Sequence, residues 1–255
     1  MNRFLVILLF FFVGKISKAE SYLDLISSIE KGLNITLVLD TGHADSWNVI
    51  DYKKVNDTVS LKNFLTLMQN EFGKYPENYF EKINIQYVVV GRDMRYGSQK
   101  RAAIPDPYLQ TVYYEIDPSY EDYYYIHVLH HELHHCTEYA VWKNMFYPWQ
   151  DWMSKNKKKF TYGKGGASTY EGDNVYIDWY SFTHPQKGFV NLYSTTGQEE
   201  DRCEMVALIM SDVEREHLIR LKKKDRIIRK KMKLILKLLD EVSGTKENYW
   251  RKTMN

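Results

Sequence analysis

The sequence predicts an α+β fold in which a small sheet packs on one chemistry-bearing helix and a helical part follows toward the C-terminus. Three observations predict it. Runs rich in β-branched residues and bounded by turn residues fall in the first 118 positions. A helical period spans residues 120–144, and Ile228, Met232, Ile235, Leu239 and Val242 recur at alternating steps of four and three, the mark of a buried stripe. A chain of 255 residues supports one sizeable core, so residues 20–255 are expected to form a single domain, with an N-terminal α/β part at 20–118 and a helical part at 119–255. A hydrophobic fraction of 44% with 27% charged residues is that of a folded soluble protein and excludes extended disorder.

The first residues read as an export signal. Asn2 and Arg3 precede an apolar run from Phe4 to Val13, and a polar stretch then ends at Ala19, where cleavage is expected. The run is about ten residues, half of the roughly 20 that a spanning helix needs, so no permanent membrane span is expected. The mature chain is expected to be periplasmic or extracellular. Only Cys136 and Cys203 are present, too few for a disulfide-built scaffold; separate buried thiols are the expected state.

Residues 34–40 (NITLVLD) read as a strand ending at Thr41 and Gly42. A helix capped by Ser60 follows, with Leu61, Phe64, Leu65, Met68 and Phe72 at helical spacing. Residues 83–90 (INIQYVVV) read as a strand closed by Gly91, its continuous apolar end implying burial on both faces. Residues 92–107 are polar and carry Gly97, Pro105 and Pro107, which marks a loop. Residues 111–116 (TVYYEI) are the next strand, and Asp117, Pro118 and Ser119 open the helix at 120–144. Residues 145–189 show no sustained period, as expected of a functional lid or of short elements. A helical region broken or bent once occupies 198–243. Its basic residues Lys222, Lys223, Lys224, Arg226, Arg229, Lys230 and Lys231 are expected on a solvated face. With a formal net charge of only +2, no nucleic-acid partner is expected.

The chemistry sits in residues 128–137, VLHHELHHCT, where His131, Glu132 and His135 form H-E-x-x-H. Residues four apart on a helix stack one turn above the other, so two imidazoles at that spacing can share one zinc ion. A carboxylate directly after the first ligand flanks the ion, where it can take a proton from an attacking water and pass it to a leaving amine. The five-residue pattern alone is weak. Its context is stronger, because Ile126, Leu129, Leu133, Cys136 and Ala140 share one helix face and His131 and His135 lie nearly opposite. His130 and His134 form a rival pair at the same spacing but lack a carboxylate in the matching place.

A catalytic zinc commonly takes three protein ligands. Glu200 and Glu204, four apart in QEEDRCE, are the candidates: one would ligate and the other would hydrogen-bond a ligand histidine. The opposing interpretation makes them an acidic, solvated helix start favoured by the helix dipole. H-E-x-x-H followed by Tyr193, Glu200 and Glu204 within YSTTGQEEDRCEMVA, together with FTYG at 160–163, resembles the lethal-factor-type gluzincins and a group of uncharacterised bacterial zinc metallopeptidase-type proteins. The resemblance covers roughly residues 108–242 and implies a zincin-like metallopeptidase domain. It implies a Zn2+ cofactor, Glu200 as third ligand, Glu204 as the neighbouring carboxylate that supports the ligands without binding the metal, and Tyr193 as the hydroxyl that steadies a developing oxyanion. Cys136 and Thr137 stand where broader H-E-x-x-H families often carry a small residue, which departs from the pattern. His184 is a further candidate oxyanion donor. The expected protein is a zinc protease with Glu132 as general base, acting on a peptide or protein aligned along the 111–116 strand. Its rivals are an exported zinc-binding protein without catalysis and a hydrolase of a non-peptide amide.

Overall fold

In the computed structural model, residues 22–181 and 186–254 are described; the expected leader at 1–19 and His184 lie outside them. The elements in chain order are α1 (Tyr22–Leu33), β1 (Thr36–Val38), β2 (Ile50–Lys53), α2 (Thr58–Phe72), α3 (Tyr79–Lys82), β3 (Tyr87–Tyr96), β4 (Gln99–Lys100), β5 (Ala103–Asp106), β6 (Thr111–Glu115), α4 (Asp122–Trp142), α5 (Gln150–Met153), α6 (Gln198–Met210), α7 (Asp212–Lys224), α8 (Arg226–Ser243) and α9 (Tyr249–Met254). Single 3-10 turns occur at Gly166–Tyr170, Gly172–Tyr176 and Tyr193–Thr195.

The sheet runs in the order β1-β3-β6-β5, with β1, β3 and β6 parallel and β5 antiparallel to β6. The ten-residue β3 continues past this path, and its far half pairs with β2 and β4. Alternation along the strands sorts their side chains. Val88, Val90, Val112 and Tyr114 join the main core beneath the helices, while Val89, Met94, Ile104 and Tyr113 pack with Tyr52 on the other face. Both faces are therefore covered, as the apolar run in β3 implies. The expected end at Gly91 is not observed, because the Tyr52 ring lies over that residue. A Cβ there would come within 2.5 Å of Tyr52 Cδ2, so glycine lets the strand pass under the ring.

Several expected boundaries shift for identifiable reasons. The cap of α2 is Asp57, whose carboxylate accepts from Val59 N at 2.9 Å; Ser60 is already inside the helix and donates to Asp57 Oδ2. The loop expected at 92–107 holds β4 and β5, a two-residue and a four-residue strand too short to show periodicity. As a result β6 is not an edge: it is flanked by β3 and β5, and β5, which carries Pro105, is the outer strand. The C-terminal helical region breaks twice. Ser211 caps α7 by accepting from Glu214 N, and Asp225 caps α8 by accepting from Ile227 N and Ile228 N. Ser211 and Glu214 have the spacing of a capping box. Ile228, Met232, Ile235 and Leu239 are buried as the stripe predicts.

Lys231 is the departure with most consequence. It lies on the buried side of α8 with its side chain wholly enclosed, its ammonium 2.6 Å from Asp201 Oδ2 and 2.8 Å from Gly188 O. The same carboxylate oxygen accepts from Trp152 Nε1 at 2.8 Å and from the Tyr162 hydroxyl at 2.6 Å. One buried charge pair thus ties α6, α8 and the aperiodic segment together. Among the described residues no helix is long and apolar enough to cross a membrane.

Because removing one partner strands the other charge in the core, Asp201→Ala is expected to cost about 3–5 kcal/mol of stability. Lys223→Ala, on an exposed position, is expected to stay within about 0.5 kcal/mol. Urea unfolding of the two variants checks the contrast, and equal midpoints would refute a structural role for the pair.

Candidate metal centre

The side chains of the site come from α4 and α6, which pack against each other, and neither helix is amphipathic in the ordinary sense. From His127 to Glu138 every residue of α4 is buried except Val128 and Glu132, which are half-buried. From Glu199 to Met210 the whole of α6 is buried. The solvated helix start that Glu200 and Glu204 would otherwise form is therefore excluded. A charged helix can be buried only if its charges find partners, and here they do so across the helix pair. Arg202 donates to both carboxylate oxygens of Glu138, the Nη2 contact being 2.7 Å. His131 Nδ1 is 2.9 Å from Glu204 Oε1, and His127 Nε2 is 3.0 Å from the same oxygen.

On the other side of His131 three donor atoms converge. His131 Nε2 lies 3.0 Å from Glu200 Oε2 and 3.2 Å from His135 Nε2, and His135 Nε2 lies 3.5 Å from Glu200 Oε2. A tetrahedral ion with bonds of about 2.0–2.1 Å needs its nitrogen and oxygen ligands roughly 3.3 Å apart. The observed spacings bracket that value, and the donor set of two imidazoles and one carboxylate suits zinc. Beside this group Glu132 Oε2 is buried with no hydrogen-bond partner among the described residues, a cost that an internal packing role does not explain. Burial raises the pKa of Glu132, opposed by His131 and His135, as befits a proton carrier.

Two other groups of donors come close. His127, His131 and Glu204 form one, and His131, His135 and Cys203 the other. The first is already satisfied by hydrogen bonds, since Glu214 accepts from His127 Nδ1 at 2.9 Å and Asn191 donates to Glu204 Oε2. In the second, burial pushes the Cys203 thiol well above its usual pKa, which disfavours the thiolate a metal needs. Cys136 and Cys203 are both free and buried.

Electrostatics follow the same pairing. Burial works against the charged form of His131, but its hydrogen bonds to Glu200 and Glu204 outweigh it and raise the imidazole pKa. Burial likewise opposes ionisation of Glu200 and Glu204, yet the histidines hold both below the usual carboxylate range. Tyr193 is buried, its ring centroid 5.8 Å from that of His131. Burial, and then Glu200, push its phenol well above the ordinary value, so it stays a neutral donor.

His130 and His134 do not form a rival site. His130 Nε2 is 2.8 Å from Glu71 Oε2 and its Nδ1 is 3.0 Å from the Tyr75 hydroxyl, while His134 stands 3.3 Å from Glu138. Both are buried, and neither contacts Glu200.

No protein-family model matches this sequence, and no curated protein matches it. A solved structure does: a Bacteroides caccae protein described as a "putative zinc-binding metallo-peptidase" superposes with a TM-score of 0.54 at 15% identity, covering 90% of this chain and 88% of that one. The fold is metallopeptidase-like. That likeness fixes the architecture, and the chemistry rests on the residues themselves.

Sequence reasoning did not anticipate four participants. His127 continues the i, i+4 stripe of His131 and His135, a signal present in the sequence. Glu214 and Asn191 carry no local signal. The fourth is Gly166, where a Cβ would fall 2.2 Å from the Tyr193 hydroxyl and 2.3 Å from Glu200 Oε1. Its φ lies outside the left-handed region, so alanine is tolerated by the backbone but not by the site. Gly166→Ala is expected to weaken zinc binding about 10- to 100-fold, the range typical of disturbed ligand support, with the far-UV spectrum unchanged. A competitive chelator titration measures this, and wild-type affinity would show that Glu200 is not held by that contact.

Proposed function

We propose that the protein is an exported zinc metallopeptidase in which His131, His135 and Glu200 hold the metal and Glu132 is the general base. The observation that carries the reading is the unpartnered, buried carboxylate oxygen of Glu132 beside three converging ligand atoms. A purely structural zinc site has no use for such a group. When bound, zinc supplies Lewis acidity toward a water and toward the scissile carbonyl.

The chain's own residues account for the remainder. Glu132 accepts the proton of the attacking water and returns it to the departing amine, a double duty suited to a carboxyl whose burial raises its pKa. Glu204 fixes the His131 ring through Nδ1, and is held in turn by Asn191 and by His127, whose other nitrogen is bonded to Glu214. The neutral hydroxyl of Tyr193, beside Glu200 over Gly166, donates to charge that develops on the substrate oxygen. The substrate backbone aligns along β5. Ala102 and Ala103 line the same cleft as His131, Glu132 and Tyr193, and the side of β5 away from β6 is unpaired among the described strands.

Two measurements decide the matter. The purified chain is expected to carry about one equivalent of zinc and to lose peptide cleavage on chelation. Glu132→Gln is expected to keep the metal and to lower kcat at least about 1,000-fold, since it removes the proton carrier and leaves all three ligands. Cleavage by Glu132→Gln at the wild-type rate would sink the mechanism, and chelator-insensitive cleavage would sink the metal's role.

A further inference from the structure

Resting on the metallopeptidase reading, we propose that Arg101 selects substrates bearing a carboxylate next to the scissile bond, so that the enzyme acts on acidic peptide sites. Arg101 lies in the two-residue connection from β4 to the edge strand β5 and lines the cleft that also holds His131, Glu132 and Tyr193. Its guanidinium carbon lies 4.1 Å from the Tyr170 ring centroid, and one Nη donates to Gln99 Oε1. The face of the group is thus fixed by an aromatic ring and one corner by an amide.

Arg101 combines a place in the cleft with the absence of an ion-paired acid. The enclosed cations Arg202 and Lys231 and the half-buried Lys74 and Arg251 each have a carboxylate partner in this fold. Among the described residues no carboxylate lies within ion-pair distance of Arg101, although the cleft it borders contains Glu132 and Glu204. Glu204 is bonded to His127 and His131, and Glu132 feels Arg101 only as a longer-range attraction that opposes the effect of its burial. A planar guanidinium held on an aromatic face keeps N–H groups for a planar, two-oxygen acceptor, which a carboxylate matches bidentately. A peptide laid along β5 advances roughly 3.3 Å per residue, so Arg101 reaches positions within one or two residues of the bond beside Glu132. An acidic side chain and a free C-terminus both present this chemistry, and each gives a different enzyme: an acid-directed endopeptidase or a carboxypeptidase.

The test uses the zinc-loaded full chain and a peptide set identical except for Asp or Glu against Asn or Gln at each position flanking the cleaved bond, each with free and amidated C-termini. Wild type is expected to prefer a carboxylate-bearing peptide over its neutral counterpart by about 10- to 100-fold in kcat/KM. Preference tied to the side chain assigns the endopeptidase, and preference abolished by amidation assigns the carboxypeptidase. Arg101→Ala is expected to reduce the preference to about twofold, and Arg101→Glu to shift it toward a Lys-bearing peptide, with zinc content unchanged in both. Fluorescence polarisation of the same peptides with Glu132→Gln is expected to show the same ranking without turnover. Equal use of acidic and neutral peptides by wild type, or a preference that survives Arg101→Ala, would overturn the selection while leaving the peptidase intact. If wild type binds zinc but cleaves no peptide in the set, the peptidase reading falls and the selection with it.

Discussion

Burying two charged helices against each other is the constraint from which the rest of this structure follows. The faces of α4 and α6 that meet carry Glu138, His135, His131 and His127 on one side and Arg202, Glu200 and Glu204 on the other. Each of these groups would cost several kcal/mol if buried alone. The helices therefore lock in the one register that pairs them all, with Arg202 gripping Glu138 at one end and Glu204 shared by His127 and His131 at the other. A slip of one residue would rotate every partner on α6 by about 100° and break the whole set at once. The proposed metal centre is part of this ladder, at the rung where two imidazoles and a carboxylate face each other at 3.0–3.5 Å.

The aperiodic segment is held to the same ladder by Asp201, which sits one residue after Glu200. Its carboxylate binds Lys231, Trp152 and Tyr162, so the segment before α6 and the helix after it are fixed by a group adjacent to the proposed ligand. Gly163 N and Gly165 N donate to Thr195 O and Thr196 O at 3.0 and 2.8 Å, which brings Gly166 up against Tyr193 and Glu200. The described part of the region that shows no period in sequence has only short elements of its own, α5 and two 3-10 turns, and is tied to α6 by side-chain and loop contacts.

That difference sets what was legible in the sequence. The strand β6 and the helix α4 were readable because their apolar positions and their flanking Asp117, Pro118 and Ser119 point the same way. Glu200 and Glu204 were readable as candidates only through the spacing to Tyr193 and the histidine motif, because an acidic stretch by itself describes a solvated helix start equally well. Burial of α6 depends on partners far along the chain, namely Glu138, His131 and Lys231, and no local pattern reveals them. For the same reason Lys231 was assigned to a solvated face with its basic neighbours, and β4 and β5 were taken for loop because two and four residues cannot establish a period. The break at Ser211 was available in the spacing of Ser211 and Glu214 and was outweighed by the continuous helical composition around it.

Within so thoroughly paired a core the exceptions carry the functional argument. A chain that supplies His127 with Glu204 and Glu214, His130 with Glu71 and Tyr75, and Asp201 with three donors has ample means to satisfy one more carboxylate. It leaves Glu132 Oε2 without a partner, in the cleft that His131, a proposed ligand, also lines. Local rules are broken in proteins chiefly where function requires it, and the cost is carried by the surrounding structure. Here the surrounding structure is the α4–α6 ladder, whose cumulative pairing tolerates unsatisfied atoms such as Asp201 Oδ1 and Arg202 Nη1 as well as Glu132 Oε2, the one of the three that lies in the cleft. A core built only for stability would have replaced Glu132 by an apolar residue of similar volume, with no rung of the ladder lost.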